Sequence, residues 1–297
     1  MTTRSADLLL TAIAPVIWGS TYIVTTEFLP EFSPLSVAML RALPAGLLLL
    51  LIVRQLPSGI WWLRIFILGA LNFSIFWSML FISAYRLPGG VAATVGAVQP
   101  LIVVFIAAAL LGRTIRPVSV AAAIVGLAGV ALLVLTPSAT LDSIGVAAGL
   151  AGAVSMAFGT VMTRKWQPPV SLLTFTAWQL TAGGLLLAPV ALLFAPPISM
   201  PTPGNLFGLV WLGLIGAALT CYLMFRGISR IEPAVVSLLG FLSPATAVLL
   251  GWLFLNQALS SFQIVGVVLV IGSIWIGQRA DRASGHAAQN SDPVTAT

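Results

Sequence analysis

Charge is scarce in this sequence, and so are the residues that carry most enzymatic chemistry. Only 7% of its 297 residues are charged, where a soluble domain has about a quarter. A surface facing water is thereby excluded. The one cysteine, Cys221, has no intrachain disulfide partner, and the one histidine, His286, stands far from it near the C-terminus. With no Cys or His cluster, neither a metal nor another cofactor is expected. There is no GxxxxGK[ST] phosphate loop and no HExxH pair, which argues against an ATP-driven pump and a zinc protease. No nucleophile, base and acid fall into one layer, so an intramembrane enzyme is the disfavoured alternative.

What remains is apolar. Hydrophobic residues make up 59% of the chain and its mean hydropathy is +1.10, values that fit lipid as the solvent. Ten segments have the roughly 17 to 25 residues needed to cross the hydrocarbon. They are Leu8 to Thr26, Leu35 to Val53, Leu63 to Ala84, Gly89 to Leu111, Val118 to Leu135, Ile144 to Met162, Leu172 to Phe194, Leu206 to Phe225, Pro233 to Phe254 and Phe262 to Gly277. The first could pass for a signal peptide after Arg4, but it lacks a small-residue cleavage site and reads as a retained helix.

The net charge of +6 does not indicate nucleic acid, because the 13 basic residues stand singly or in pairs between apolar runs. They mark membrane boundaries. With the N-terminus inside, every inner loop carries Arg or Lys, and only Arg41 and Arg86 fall outside that set. The positive-inside rule and an even helix count therefore support one another, placing both termini in the cytoplasm. The expected fold is an all-α polytopic membrane protein.

The two halves echo each other. Trp18-Gly19-Ser20 matches Phe158-Gly159-Thr160, and Ile124-Val125-Gly126 matches Ile264-Val265-Gly266, both 140 residues apart. Gly96 with Pro100 matches Gly240 with Pro244 at an offset of 144. The order points to a duplication: one five-helix repeat over 1–137, a second over 138–279, and a disordered cytoplasmic tail over 280–297. Five is odd, so the second copy enters the membrane from the other side. Five-plus-five inverted repeats are an architecture of secondary transporters with alternating access.

Pro15 with Trp18-Gly19-Ser20, the Gln99-Pro100 step and above all IEPAVVSLLGFLSPATAVLLGWLFLNQALSSFQIVGVVLVIGS, Ile231 to Ser273, carry a resemblance. Over about residues 8 to 278 the chain resembles the drug/metabolite transporter superfamily, in particular its ten-helix exporters with two EamA domains. Its character is similar to the bacterial aromatic amino-acid exporter branch. The resemblance implies a multi-pass protein of the inner membrane that exports amino acids, nucleosides or other small metabolites. Family members usually carry a Glu at the ends of the fourth and ninth helices. Arg113 and Gln257 stand near those places here, so no family carboxylate is assigned to gating or coupling.

A polar solute needs polar lining, since unpaired polar groups in hydrocarbon are costly. Asn72, Gln99 and Gln179 offer donors and acceptors for a zwitterion, with Ser20 and Ser243 as smaller candidates. The competing role for each is to tie helices together. Trp18, Tyr22, Trp77, Trp178 and Tyr222 are candidate walls for an aromatic or branched side chain, against ordinary packing or lipid contact. Pro100 with Gly96 and Pro244 with Gly240 are candidate kinks, as is Pro15 with Gly19 and, by symmetry, Gly159. Arg41 lies within its helix; it is a candidate outer gate with Glu27, a carboxylate ligand, or a snorkelling side chain.

No Asp, Glu, His or Lys stands at the expected midplane, which favours facilitated movement down the solute's own gradient. The sequence thus reads as a secondary transporter exporting small metabolites, most of all amino acids including aromatic and branched ones. A multidrug or other-metabolite exporter is the alternative. Expected partners are a small-molecule substrate and membrane lipid, with no nucleic acid; a monomer would suffice.

Overall fold

The computed structural model describes residues 3–87, 94–134, 142–198, 200–254 and 260–290, with some side chains, those of Tyr22 and Tyr85 among them, outside the description. The described residues contain nine helices long and apolar enough to cross a membrane, and a shorter tenth. In chain order they are α1 (Arg4–Phe28), α2 (Pro34–Val53), α3 (Trp61–Leu80, continuing to Arg86), α4 (Thr94–Leu111) and α5 (Pro117–Leu133). The second half holds α6 (Ser143–Lys165), α7 (Leu172–Phe194), α8 (Pro203–Arg230), α9 (Pro233–Phe254) and α10 (Ser261–Arg279).

Local chemistry sets the helix starts. Ser33, Asp142 and Ser171 accept from the backbone N–H three residues on, and Thr202 with Asn205 forms a reciprocal capping box. Proline occupies the first turn of α2, α8 and α9, where its missing N–H costs nothing.

Two helix pairs join the repeats. α2 lies along α7 and α5 along α10. Glycine makes both crossings close: a Cβ on Gly46 would meet Thr181 N at 2.5 Å, one on Gly184 would meet Leu43 Cα at 2.6 Å, and one on Gly266 would meet Gly129 O at 2.7 Å. Small residues replace the hydrophobic drive that is missing between helices in lipid. Around these pairs, α1 packs on α8 and α9, while its counterpart α6 packs on α3 and α4. Each repeat's first helix is thus enclosed by the third and fourth helices of the other repeat.

The expected breaks are present in α4 and α9. Helical bonding lapses after Gly96 and resumes at Gln99, and it lapses at Gly240 and Phe241 before Leu242. The tightened turns use i to i−3 bonds such as Leu101 N to Val98 O and Ser243 N to Gly240 O. In the second bond the Gly240 carbonyl, which Pro244 cannot engage, accepts from Ser243 N instead. α1 breaks at Ser20, just after Gly19, whereas α6 runs unbroken through Gly159. Gly159 is therefore a packing seat and not a hinge: its Cα lies against the Asn72 side chain, whose Oδ1 would be 2.1 Å from an added Cβ.

The tail also departs from expectation. The last helix continues past Arg279 to Asn290, because Ala-rich sequence without proline extends a helix already begun. Residues 291–297 lie outside the described residues, as does Gln257.

Candidate functional site

α3 and α8 each contain a π-helical stretch, Ala70–Ser74 in the first repeat and Trp211–Leu219 in the second. Their starts are 141 residues apart, close to the sequence offset of the repeat. Such wide turns alter the normal bonding ladder and recur at functional sites. Here each turn presents a carbonyl to the other repeat. Ser155 of α6 donates to Leu71 O at 2.9 Å, and Trp18 Nε1 of α1 donates to Gly216 O at 3.2 Å.

The chemistry around the two turns differs. Gly216 O also accepts from Arg41 Nη2 at 2.9 Å and from Thr220 Oγ1 at 2.7 Å. Thr220 Oγ1 accepts in turn from Trp18 Nε1 at 2.9 Å. The Arg41 guanidinium lies over the Trp77 ring, 4.7 Å from its centroid, a favourable contact for a desolvated cation. Arg41, Trp18 and Trp77 are therefore brought together. Arg41 does not pair with Glu27, which is exposed at the end of α1; their expected meeting as an outer gate is absent among the described residues.

At the α3 turn the groups are neutral. Asn72 Nδ2 donates to Gln179 Oε1 at 2.8 Å and to Thr163 Oγ1 at 3.1 Å, all three residues being buried. Gln179 Nε2 has no partner. This network ties α3, α6 and α7, so Asn72 and Gln179 stand in a helix-joining position. Arg41 and Gln179 lie seven residues after the first residues of α2 and α7 respectively, about 10 Å along each helix.

Gln99 and Ser243 occupy the broken segments of α4 and α9. Both are half-buried and neither side chain has a hydrogen-bond partner among the described residues. Ser243 lies beside Gly19, a Cβ on which would meet its carbonyl at 2.8 Å, while a Cβ on Gly96 would meet nothing within 4 Å. Tyr222 packs on the cluster that contains Trp77. Ser20 donates to Ile17 O and accepts from Trp211 Nε1. Trp178 joins a different cluster, donating to Gln55 O at 2.6 Å among Ile65, Leu68 and Phe175.

Among the described residues, ten helices form two interlocked halves with paired turns. A model described as the EamA-like transporter family matches residues 5–135 and again residues 143–276. The chain belongs to the EamA-like transporter family. It is 46% identical over 267 residues to Protein PecM of Dickeya dadantii, covering 89% of this chain and 90% of that protein. It is 26% identical over 264 residues to the uncharacterized inner membrane transporter YedA of Escherichia coli K12, covering 87% and 86%. A solved crystal structure shares the fold at a TM-score of 0.77 and 23% identity, covering 94% of this chain and 99% of that one. This protein is a membrane transporter and not an enzyme.

The transporter also holds polar contacts that sequence reasoning missed. Arg226 and Arg230 of α8 both reach Asp7 of α1, Arg230 at 3.4 Å. Arg164 donates to the carbonyls of Ile228 and Ser229 at the end of the same helix, and Arg113 lies 3.4 Å from Glu232 at the start of α9. One signal was legible: Arg226 and Arg230 are four apart on one helix face, and Asp7 opens the first span. At the opposite end Arg86 lies 3.6 Å from Asp142. Half-open apolar grooves are also present among the described residues. One of about 380 Å³ is lined by Leu8, Leu9, Leu239, Leu242 and Ile274; another of about 190 Å³ by Ser36, Met39, Leu192 and Pro197.

Proposed function

We propose that this transporter exports small metabolites, chiefly amino acids with aromatic or branched side chains, across the bacterial inner membrane by alternating access. The paired π-helical turns carry the reading. Each joins the third helix of one repeat to the first helix of the other through a few hydrogen bonds, Ser155 to Leu71 O and Asn72 to Thr163 on one side, Trp18 to Gly216 O and to Thr220 and Trp211 to Ser20 on the other. Contacts of that kind can exchange between two discrete arrangements at modest cost, and inverted repeats supply two such arrangements. Trp18 and Trp77 offer apolar walls, and the Gln99 amide, without a hydrogen-bond partner among the described residues, offers a donor and an acceptor to the solute. The inner-membrane location rests on the name of the YedA relative, and cytoplasmic termini on the loop charges.

Flux is facilitative in this reading, because the polar centre holds a guanidinium and amides but none of the usual proton-carrying groups. A hydrophobic drug exporter is the second reading, favoured by the apolar lining of the 380 Å³ groove beside α1, α9 and α10. Proteoliposomes containing the purified chain separate them. Uptake of radiolabelled phenylalanine and leucine, insensitive to an imposed pH gradient, is the expected result. Accumulation against the gradient that a protonophore collapses would overturn the facilitative mechanism, and no amino-acid flux by folded protein would favour the drug reading.

A further inference from the structure

Resting on the amino-acid reading, we propose that Arg41 is the specificity-determining anchor of the transported solute's carboxylate, so that the site takes carboxylate-bearing substrates and passes over the matching amines.

The charge inventory comes first. Asp7 is held by Arg226 and Arg230, Asp142 by Arg86 and Glu232 by Arg113. Glu27 and Glu31 are exposed at the end of α1 and beyond it. No carboxylate among the described residues reaches Arg41, a permanent cation about 10 Å inside its helix. One carbonyl and one indole face are the direct partners of its guanidinium, the Cys221 thiol interacts with it electrostatically, and its Nε is buried without a hydrogen bond. An ion in such a place lacks the counter-charge that normally accompanies a buried charge.

The second repeat provides an internal control. The position 140 residues beyond Arg41 is Thr181. There the link from α7 to the π turn of α3 is made by neutral Gln179 and Asn72. The fold thus builds the same junction without charge. A guanidinium present in only one of two corresponding junctions points to an anion that visits that side. Arg41 is also pre-positioned to receive it. Gly216 O fixes one nitrogen, Trp77 fixes the plane, and Trp18 shares the same acceptor. A fixed planar fork is suited to a carboxylate, and its aromatic neighbours suit an apolar substituent beside it.

The test is competition against radiolabelled phenylalanine flux in proteoliposomes, using 3-phenylpropionate, phenethylamine and phenylalaninamide. The carboxylate compound is expected to compete at least tenfold better than either amine. Arg41→Lys is expected to raise KM about tenfold or more, with kcat changed less, and Arg41→Gln to abolish the preference for the acid. Equal competition by acid and amines, or an unchanged KM in Arg41→Gln, would overturn the proposal. Should wild-type protein carry no phenylalanine, the amino-acid reading fails by itself. Thermal unfolding then decides on Arg41: a midpoint raised by 3-phenylpropionate more than by phenethylamine, and less so in Arg41→Lys, supports the anchor, and an equal response to both compounds removes it.

Discussion

Arg41 Nη2 and the Gly216 carbonyl oxygen lie 2.9 Å apart although 175 residues separate them in sequence. The contact joins the second helix of one repeat to the third helix of the other at the point where that helix widens. Trp18 and Thr220 donate to the same oxygen, so three helices meet on one backbone acceptor. The corresponding place in the first repeat uses Asn72, Gln179 and Thr163, with no charge. Architecture is duplicated here while chemistry is not.

Gln179 and Gln99 separate experimentally. Gln179→Ala leaves Asn72 Nδ2 short of an acceptor in a closed site and is expected to cost about 1–3 kcal/mol, read as a lower thermal midpoint in detergent. Gln99→Ala removes no protein hydrogen bond among the described residues and is expected to leave the midpoint nearly unchanged while raising KM. A fall in stability with Gln99→Ala and none with Gln179→Ala would reverse the roles given to them.

Gly159→Ala forces a Cβ toward Asn72 Oδ1, which would lie only 2.1 Å away. A destabilisation of about 1–3 kcal/mol is expected from overpacking. Adding Asn72→Ala should recover part of it, since the clash disappears with the amide. Additive losses in the double variant would show that the two positions do not touch.

The α5–α10 crossing distinguishes two glycines of one helix. Gly266→Ala places a Cβ 2.7 Å from Gly129 O, whereas Gly272→Ala meets nothing within 4 Å. The first is expected to reduce folded yield and thermal midpoint, and the second to change either little, within about 0.5 kcal/mol. Equal behaviour would place the crossing elsewhere.

At the Asp7 cluster, Asp7→Asn strips the carboxylate from two arginines at once, one of them Arg226, whose Nη1 is buried and unpartnered. The expected loss is about 1–3 kcal/mol, below that of a fully buried pair because the site is partly open. Arg230→Gln touches the more exposed, longer contact and should cost about 0–1 kcal/mol. Thermal unfolding of the two variants checks the order.

The membrane, the helical segments and the duplication were legible in the sequence. Each of these is written in local patterns: apolar run length, loop charge, cap residues, and proline's missing N–H. Candidate residues were legible as a set, since polar and aromatic side chains in hydrocarbon are few. Which of them meet was decided by tertiary structure alone. Asn72 and Gln179 find each other, Trp178 turns to Gln55, and Arg41 chooses a carbonyl over Glu27. Those choices depend on how two inverted halves interlock, and on π-helical turns whose register comes from packing between repeats. The contacts that matter there span 84 to 202 residues, separations over which no local pattern specifies a partner.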